Sequence, residues 1–577
     1  MKMGGSLLKT PLKKRWFQAG LACLIFTASA GAVQANPTIS INARNAVRTA
    51  DGRWFGINTG DWDTDFNLQD TVPELTKAGW QTLRFPGGSD ADHYHWYLNT
   101  TNNSRTYQGK NSVTSFAAVA TNIGANVIII ANYGSGTAAE AAGWVAYANV
   151  TNHWGFKYWE IGNECYGTYE TDSNTYPHDP YTYATRVADY AQQMKAVDPT
   201  IKIGVVAHKD PTADSNGYTN HPATNLVTGV VYYGWFPVVL STLSRLGVTP
   251  DFAIYHYYPQ NYPFSGDNDQ TLLAKANWAG DAADLRGQIT DFFGPGGTNI
   301  ELLVTENNCD AGTPGKQSVS LVNGLYYANS LGQLIQTEFN ARVWFDLHAG
   351  TPPFITGDLN DNLYGWRMYG DLGVMWYENL GLALTNRYPP YFAAELISHF
   401  IRAGDTVLNA SCDNALVSAY AALRTNGSLT LMAINKSPTS NYLANIVLTN
   451  YLPGGTATVY SYGMPQDNAA QAANNSACDI ATNSCSVRTN FNYTLAPYSI
   501  TVFAFASTPL LSVLPPSSAG QVVLQLAGQP GVPYVLQTST DLSDWTSVAT
   551  NTLTGNVLDI TNPIISGAQF WRAAWLP

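Results

Sequence analysis

The stretch Tyr158-Trp159-Glu160-Ile161-Gly162-Asn163-Glu164 is a short β-like run that ends in an amide followed by a carboxylate. In a parallel barrel the side chains that do chemistry project from the C-terminal ends of the strands, so the question is whether similar runs flank this one. Working outward, candidate strands cover residues 54–59, 81–88, 125–133, 158–164, 201–208, 251–258, 300–307 and 341–348. Between them lie stretches with apolar residues at helical spacing: 138–149, 181–197, 236–246, 272–293, 321–339 and, after the last strand, 391–401. Eight strand-then-helix units within residues 53–401 predict an α/β fold of the (β/α)8 TIM-barrel type. A doubly wound sheet rarely needs so many units, and its first turn, G-x-G-x-x-G, is missing.

Beyond residue 402 the periodicity changes to two, in 415–423, 428–434, 446–451, 457–462 and 499–504, with Asn, Gly, Pro and Ser turns between. This predicts an accompanying antiparallel β-sandwich over 402–507, to which 36–52, alternating at 38–43, adds an N-terminal strand. Residues 508–518, with Pro509, Pro515 and Pro516, read as a linker. The remainder, 519–577, alternates at 522–526 and 534–537 and ends in Phe570, Trp571 and Trp575, which predicts a small C-terminal all-β module.

Composition narrows the partners. Charged residues are 12% of the 577, against roughly 25% in ordinary soluble proteins. The net charge is −12, and the first 35 residues hold Lys2, Lys9, Lys13, Lys14 and Arg15 with no acid, so the rest is five charges more negative. Such a surface repels phosphate backbones and anionic lipid, which argues against nucleic acid and membrane as partners and for neutral, hydroxyl-rich ligands. The basic start, the apolar stretch 19–32 and Val33-Gln34-Ala35 form the pattern of a cleavable signal peptide over 1–35, implying a secreted or periplasmic protein. Cys23 lies inside the apolar stretch, which argues against a lipid-modified Cys. Of the other cysteines, Cys478 and Cys485 are close in a polar stretch and are expected to form a local disulfide. Cys165, Cys309 and Cys412 have no evident partner.

Two glutamates end the informative strands. Glu164 closes the fourth run, and Glu306 follows the apolar residues of the seventh, Leu302-Leu303-Val304-Thr305-Glu306-Asn307. Hydrolysis of a glycosidic bond needs two such carboxyl groups, one to protonate the leaving oxygen and one to attack the anomeric carbon or activate water. Strands four and seven can place them across one barrel mouth.

Four motifs in order, Arg84-Phe85-Pro86-Gly87-Gly88 with Trp96, Trp159 to Glu164 with Tyr166-Gly167, Tyr255-His256-Tyr257-Tyr258 and Thr305-Glu306-Asn307, resemble those of clan A glycoside hydrolases. The nearest likeness is to family 51 and related α-L-arabinofuranosidases, over about residues 36–506. The resemblance implies a retaining enzyme, without cofactor or metal, that trims side chains of plant-type polysaccharides or oligosaccharides. It makes Glu164 the acid/base, Glu306 the nucleophile and Asn163 the partner of the sugar hydroxyl beside the anomeric carbon. Arg84 and Tyr258 match groups that hold the nucleophile ionised and aimed. In a regular strand Glu160, Gly162 and Glu164 share one face, so Asn163 reaches the site only where the strand end is irregular.

Other residues carry two readings. Glu160 reads as a structural carboxylate inside the barrel, and His256 as either an active-site group or a satisfied core histidine. Trp344 and Asp346 on the eighth run can form a sugar platform and a hydroxyl acceptor, or Trp344 can be packing. Asp90, Asp92, His93 and His95 form a substrate-loop set, with Asp92 the expected ligand, because His-x-His with acids lacks zinc spacing. Residues 267–269 and 358–362 read as Asp/Asn turns before calcium loops. The alternatives on the same barrel are a β-xylosidase, a β-glucuronidase or an endo-glucanase, and outside catalysis a carbohydrate-binding protein. A glucuronidase is disfavoured because no Lys/Arg cluster offers to pair a substrate carboxylate.

Overall fold

After a first strand that joins a separate sheet, β1 (Thr38–Thr49), eight strands close into a parallel barrel in chain order. They are β2 (Gly56–Asn58), β3 (Thr82–Phe85), β4 (Asn126–Ala131), β5 (Tyr158–Ile161), β6 (Lys202–Val206), β7 (Phe252–Tyr257), β8 (Glu301–Asn307) and β9 (Ala341–Trp344). The structure is a computed structural model and describes residues 36–101, 108–261, 268–274, 277–311, 315–349, 362–367, 372–376, 387–473, 479–507, 509–515, 520–528, 533–555, 557–564 and 567–575. The expected signal segment 1–35 lies outside the described residues, as does Cys478 of the expected disulfide with Cys485.

Each barrel strand coincides with one of the eight expected runs. The helices follow as α1 (Thr71–Ala78), α2 (Val113–Asn122), α3 (Ala138–Val145), α4 (Pro180–Val197), α5 (Trp235–Arg245), α6 (Asp269–Ala274), α7 (Trp278–Phe293), α8 (Leu321–Leu334) and α9 (Pro389–Phe400). Their starts are chemically marked: Ser112, Thr137, Asp179 and Ser320 accept backbone N–H bonds at the starts of α2, α3, α4 and α8. Prolines occupy the first turn of α4 and α9, where no N–H is needed. The single helix expected over 272–293 is instead α6 and α7.

Strand parity sorts the barrel side chains. On β3, Phe85 faces outward and stacks on Phe116 of α2 at 4.7 Å, and on β5 Trp159 meets Trp144 of α3 edge-on at 5.7 Å. Each such buried side chain stabilises the fold by roughly 1.5–3 kcal/mol. Arg84 and Glu160, one residue along from these, turn into the barrel and are fully buried. The barrel closes where β9 pairs with β2, and there Gly56 is required by space, since a Cβ would lie 2.8 Å from the Arg342 carbonyl oxygen.

The second sheet adds to β1 the strands β10 (Thr406–Cys412), β11 (Val417–Leu423), β12 (Leu429–Asn435), β13 (Tyr442–Thr449), β14 (Pro453–Gly463), β15 (Ala481–Ser486), β16 (Asn490–Leu495) and β17 (Ser499–Ser507). Their order is β15-β14-β17-β12-β11-β10-β1-β13-β16. The expected antiparallel pattern holds except between β1 and β13, which run parallel with Ile39 opposite Ile446. A strand arriving from the far end of the chain is not tied to its neighbour by a hairpin, so nothing forces it antiparallel. The sheet curls so that its last strand packs over an inner one, with Phe491 of β16 6.2 and 6.0 Å from Phe503 and Phe505 of β17. On β12, Leu431 and Ala433 face this inner core, while Met432 and Ile434 join the core of the barrel helices. Phe392 of α9 stacks on Tyr462 of β14 at 4.7 Å from the same side.

The C-terminal module has two three-stranded antiparallel sheets. One joins β18 (Leu510–Leu514), β19 (Gln521–Ala527) and β22 (Val557–Pro563), and the other joins β20 (Pro533–Ser539), β21 (Thr546–Thr552) and β23 (Phe570–Trp575). Leu526, Tyr534 and Leu553 form its small core. The stretch expected as a linker over 508–518 is therefore shorter: Leu510–Leu514 is a strand whose Leu511 packs against that core. Its prolines flank the strand instead of interrupting it, which is where proline is tolerated. No helix among the described residues is long and apolar enough to cross a membrane.

This boundary can be tested by truncation. A chain ending at Ser507 is expected to stay monodisperse and to unfold at a melting temperature close to that of the full chain's barrel. A chain ending at Ser518 retains β18 without its partner strand, uncovering Leu511 beside the already exposed Leu510 and Val513, and is expected to self-associate in size-exclusion chromatography.

Candidate active site

The barrel mouth is organised around Arg84, fully buried near the end of β3. Its Nε donates to Glu160 Oε2 at 2.9 Å, and Nη1 donates to Asn58 Oδ1 at 2.9 Å and Glu306 Oε1 at 2.8 Å. Nη2 donates to Asn163 Oδ1 at 2.9 Å. The guanidinium thereby binds groups from the ends of β2, β5 and β8. Burial disfavours its charge, but Glu160 and Glu306 outweigh that and raise its pKa.

Two backbone irregularities bring the chemistry inward. The ladder between β7 and β8 slips by one residue, pairing Tyr255 with Val304 and His256 with Glu306. Thr305 and Glu306 then both face the barrel, and Asn307 turns out to the Tyr326 hydroxyl of α8. On β5 the ladder stops at Ile161, and Gly162 adopts φ +75°. A Cβ there would lie 2.2 Å from Cys165 Sγ, so glycine is needed for conformation and for space. This is the irregular strand end that lets Asn163 and Glu164 both reach the mouth.

Glu306 is 5% exposed and accepts from the Tyr258 hydroxyl at 2.7 Å as well as from Arg84. Burial and Glu306 push the Tyr258 phenol well up, so it remains a donor. Across the mouth, His256 Nδ1 lies 2.8 Å from Glu164 Oε1 and 3.6 Å from Glu306 Oε2, and the Tyr169 hydroxyl donates to Glu164 Oε2 at 2.5 Å. Burial favours a protonated Glu164, but the hydrogen bond and charge of His256, with the Tyr169 and Tyr166 hydroxyls, outweigh it and hold the carboxyl at about 2. Burial lowers the His256 pKa, yet Glu306 and Glu164 raise it overall against the opposing charge of Arg84. The proton of this pair therefore resides on the imidazole.

One ligand-type atom from each of Glu164, His256 and Glu306 lies within 4.8 Å of the others, a spacing that also suits a metal ion. These groups open into a pocket of about 670 Å³ lined by Gly88, Ser89, Asn163, Glu164, Tyr166, Tyr169, His208, His256, Tyr258, Gln260, Asn261, Glu306, Ala311, Phe345 and Leu372.

Of the residues expected at the site, Glu164, Glu306, Asn163, His256 and Tyr258 line this pocket, and Arg84 lies directly behind it. Trp344 does not. It is fully buried on the outer face of β9, 4.6 Å from Tyr327 of α8, with the Arg342 guanidinium 4.8 Å over its ring. Parity turns the next residue, Phe345, inward instead. Asp92 is also buried away from the pocket, where it accepts from the backbone N–H of Tyr133 at 3.4 Å and of Asn163 at 3.2 Å. It shapes the turn beneath the site and does not face the ligand space. Of the other expected residues, Glu160 is the interior carboxylate foreseen. Sequence reading missed Asn58, although it is a polar residue at a strand end like the others. It also missed Tyr169, Gln260 and His208, which lie on loops without a local signal.

No protein-family model matches the chain. A protein named probable α-L-arabinofuranosidase C, from Aspergillus clavatus, is 25% identical over 177 residues, which is 26% of this chain and 34% of the relative. The chain thus matches about a third of the length of the curated relatives found. Among solved structures, the α-L-arabinofuranosidase of Thermotoga maritima in its arabinose complex superposes with a TM-score of 0.62 at 19% identity, over 81% of this chain and 99% of that one. CelM2, a bifunctional glucanase-xylanase from a metagenome library, superposes with a TM-score of 0.57 at 17% identity, over 82% and 100%. The resemblance carried by the motifs is thus also the one these comparisons return: the chain has the barrel-plus-sheet fold of clan A glycoside hydrolases and is similar to family 51 and related α-L-arabinofuranosidases.

Proposed function

We propose that the protein is an exported, retaining glycoside hydrolase whose substrate is an α-L-arabinofuranoside. The observation that carries the reading is the pairing of Glu164 and Glu306 at the ends of facing strands, with oxygens of the two carboxyl groups within 4.8 Å. Retaining enzymes hold their carboxyl groups about 5–5.5 Å apart, whereas inverting ones leave about 6.5–9.5 Å for a water. Export is supported by the basic and then apolar segment at the start of the chain.

Glu306 suits the nucleophile because Arg84 and Tyr258 both donate to it, stabilising a carboxylate and fixing its direction. In the first step it attacks the anomeric carbon as the bond to the leaving oxygen breaks, and Glu164 protonates that oxygen. The proton is held on His256 in the free protein and reaches Glu164 along the 2.8 Å hydrogen bond, leaving a neutral imidazole. In the second step Glu164 takes a proton from water, which displaces Glu306 from the sugar. Asn163 lines the pocket with a side-chain N–H available for the hydroxyl beside the anomeric carbon. The likeness to CelM2 keeps an endo-glucanase or xylan-type substrate as the second reading. A uronide is disfavoured, since the described lining residues include no Lys or Arg.

The two roles are separable. Glu164→Ala is expected to keep substantial reaction with an activated aryl glycoside and then stall at the covalent intermediate, with azide relieving the stall to give a glycosyl azide of retained configuration. Glu306→Ala is expected to be nearly inactive on all substrates, with azide giving the opposite configuration. Reversed stereochemistry would reverse the assignment.

The pH profile reads the shared proton. Below the raised pKa of His256 the pair holds one proton; above it the pair holds none, and Glu164 has nothing to give. The alkaline limb of kcat/KM is therefore expected above the ordinary imidazole value. In His256→Asn the limb belongs to the carboxyl alone and is expected at lower pH; an unmoved limb would show that the imidazole does not store the proton.

A further inference from the structure

Glu170 contributes no atom to the pocket, yet it is joined to a residue that does. It is 6% exposed, and its Oε1 accepts from Ser89 Oγ at 2.9 Å and from Asn163 Nδ2 at 3.0 Å. Its Oε2 is buried without a hydrogen-bond partner among the described residues. On the other side of the Asn163 amide stands Arg84, which can only donate, so Oδ1 must face it and Nδ2 must point away. Nδ2 carries two hydrogens. Glu170 takes one, and the second is left for the pocket.

We propose that Glu170 is a positioning residue: its Oε1 and Arg84 clamp the Asn163 amide between them, so that the remaining N–H is aimed at the sugar hydroxyl beside the anomeric carbon. The inference rests on the glycosidase reading and assigns a role to a residue six positions beyond Glu164, the last Glu of the motif. Glu170 performs it as a buried acceptor. Burial pushes its carboxyl well up, and the neighbouring Asp92 and Glu164 add to this, while the bonds from Asn163 and Ser89 offset it only in part. Asp92, from the loop after β3, is itself raised to about 7 by burial, with Asp172 adding to the effect and the Asn163 and Tyr133 N–H groups and Cys165 opposing it. A fixed amide costs nothing to orient when charge develops on the sugar, so the clamp acts mainly in the transition state.

The test compares wild type, Glu170→Ala, Glu170→Gln, Asn163→Ala and the Glu170→Ala/Asn163→Ala double variant on 4-nitrophenyl α-L-arabinofuranoside. Glu170→Ala is expected to lower kcat about tenfold with KM within about twofold, the pattern of a contact realised in the transition state. Glu170→Gln, which keeps the accepting oxygen without a charge, is expected to recover most of that loss. The double variant is expected to be no slower than Asn163→Ala, because the clamp has nothing left to hold. Additive losses in the double variant, or a Gln variant as slow as the Ala variant, would overturn the proposal. A wild type without glycosidase activity would sink the glycosidase reading, and the clamp is then read without turnover from the NMR signals of the Asn163 side-chain amide. Asn163 side-chain N–H signals that exchange with solvent slowly in wild type and Glu170→Gln and markedly faster in Glu170→Ala support it; exchange unchanged in Glu170→Ala overturns it.

Discussion

A guanidinium with no access to water must find all its partners inside the protein, and Arg84 is such a group. Its three nitrogens hold Glu160, Glu306, Asn58 and Asn163, which lie at or just beyond the ends of three other strands. Removing any one of them leaves part of a buried cation unpaired, and removing the cation strands two buried carboxylates. The same contacts that make the barrel interior tolerable therefore fix the candidate nucleophile and the amide beside it. Structure and chemistry are inseparable at this point, because one charge serves both.

A second constraint follows from counting charge across the mouth. Glu160, Glu306 and Glu164 face two cations, Arg84 and protonated His256. The imidazole stands between the two candidate catalytic carboxyls, 2.8 Å from one and 3.6 Å from the other. Its hydrogen bond and charge favour the ionised form of Glu164. Behind this layer neither Asp92 nor Glu170 pairs with a cation among the described residues, and they support the Asn163 turn through N–H groups. Carboxyls without a cation are cheapest when neutral, which suits an accepting role and not a charged one.

The rest of the architecture holds the mouth rigid. β12 is buried on both faces, one toward the curled sheet's own core and one toward the barrel helices, so the sheet and the barrel share a continuous interior. The C-terminal module, by contrast, has its own small core of Leu526, Tyr534 and Leu553. An element with a separate core can be lost or exchanged without disturbing the packing that aims Glu164 and Glu306.

Much of this was legible along the chain, because strands and helices are written in local periodicity and because a barrel puts its chemistry at strand ends. The eight runs, Glu164 and Glu306 follow from those two facts, while Arg84, Asn163 and Tyr258 come from the resemblance of the motifs and His256 carries two readings. What only the tertiary structure decided were features that depend on direction and on distant partners. The one-residue slip beside Thr305 and the positive φ of Gly162 change which side chains face inward, and neither is visible in a periodic pattern. Parity at β9 placed Trp344 among the helices and Phe345 in the pocket, reversing the sequence expectation. Asp92 and Glu170 lie near Asn163 in space but acquire their roles from what surrounds them, a buried turn without a cation. The sequence by itself determined the eight strands and the two carboxyls at their ends; the three-dimensional packing decided which other residues join them at the mouth and which way each points, because orientation and solvation are properties of neighbours that the chain brings together only on folding.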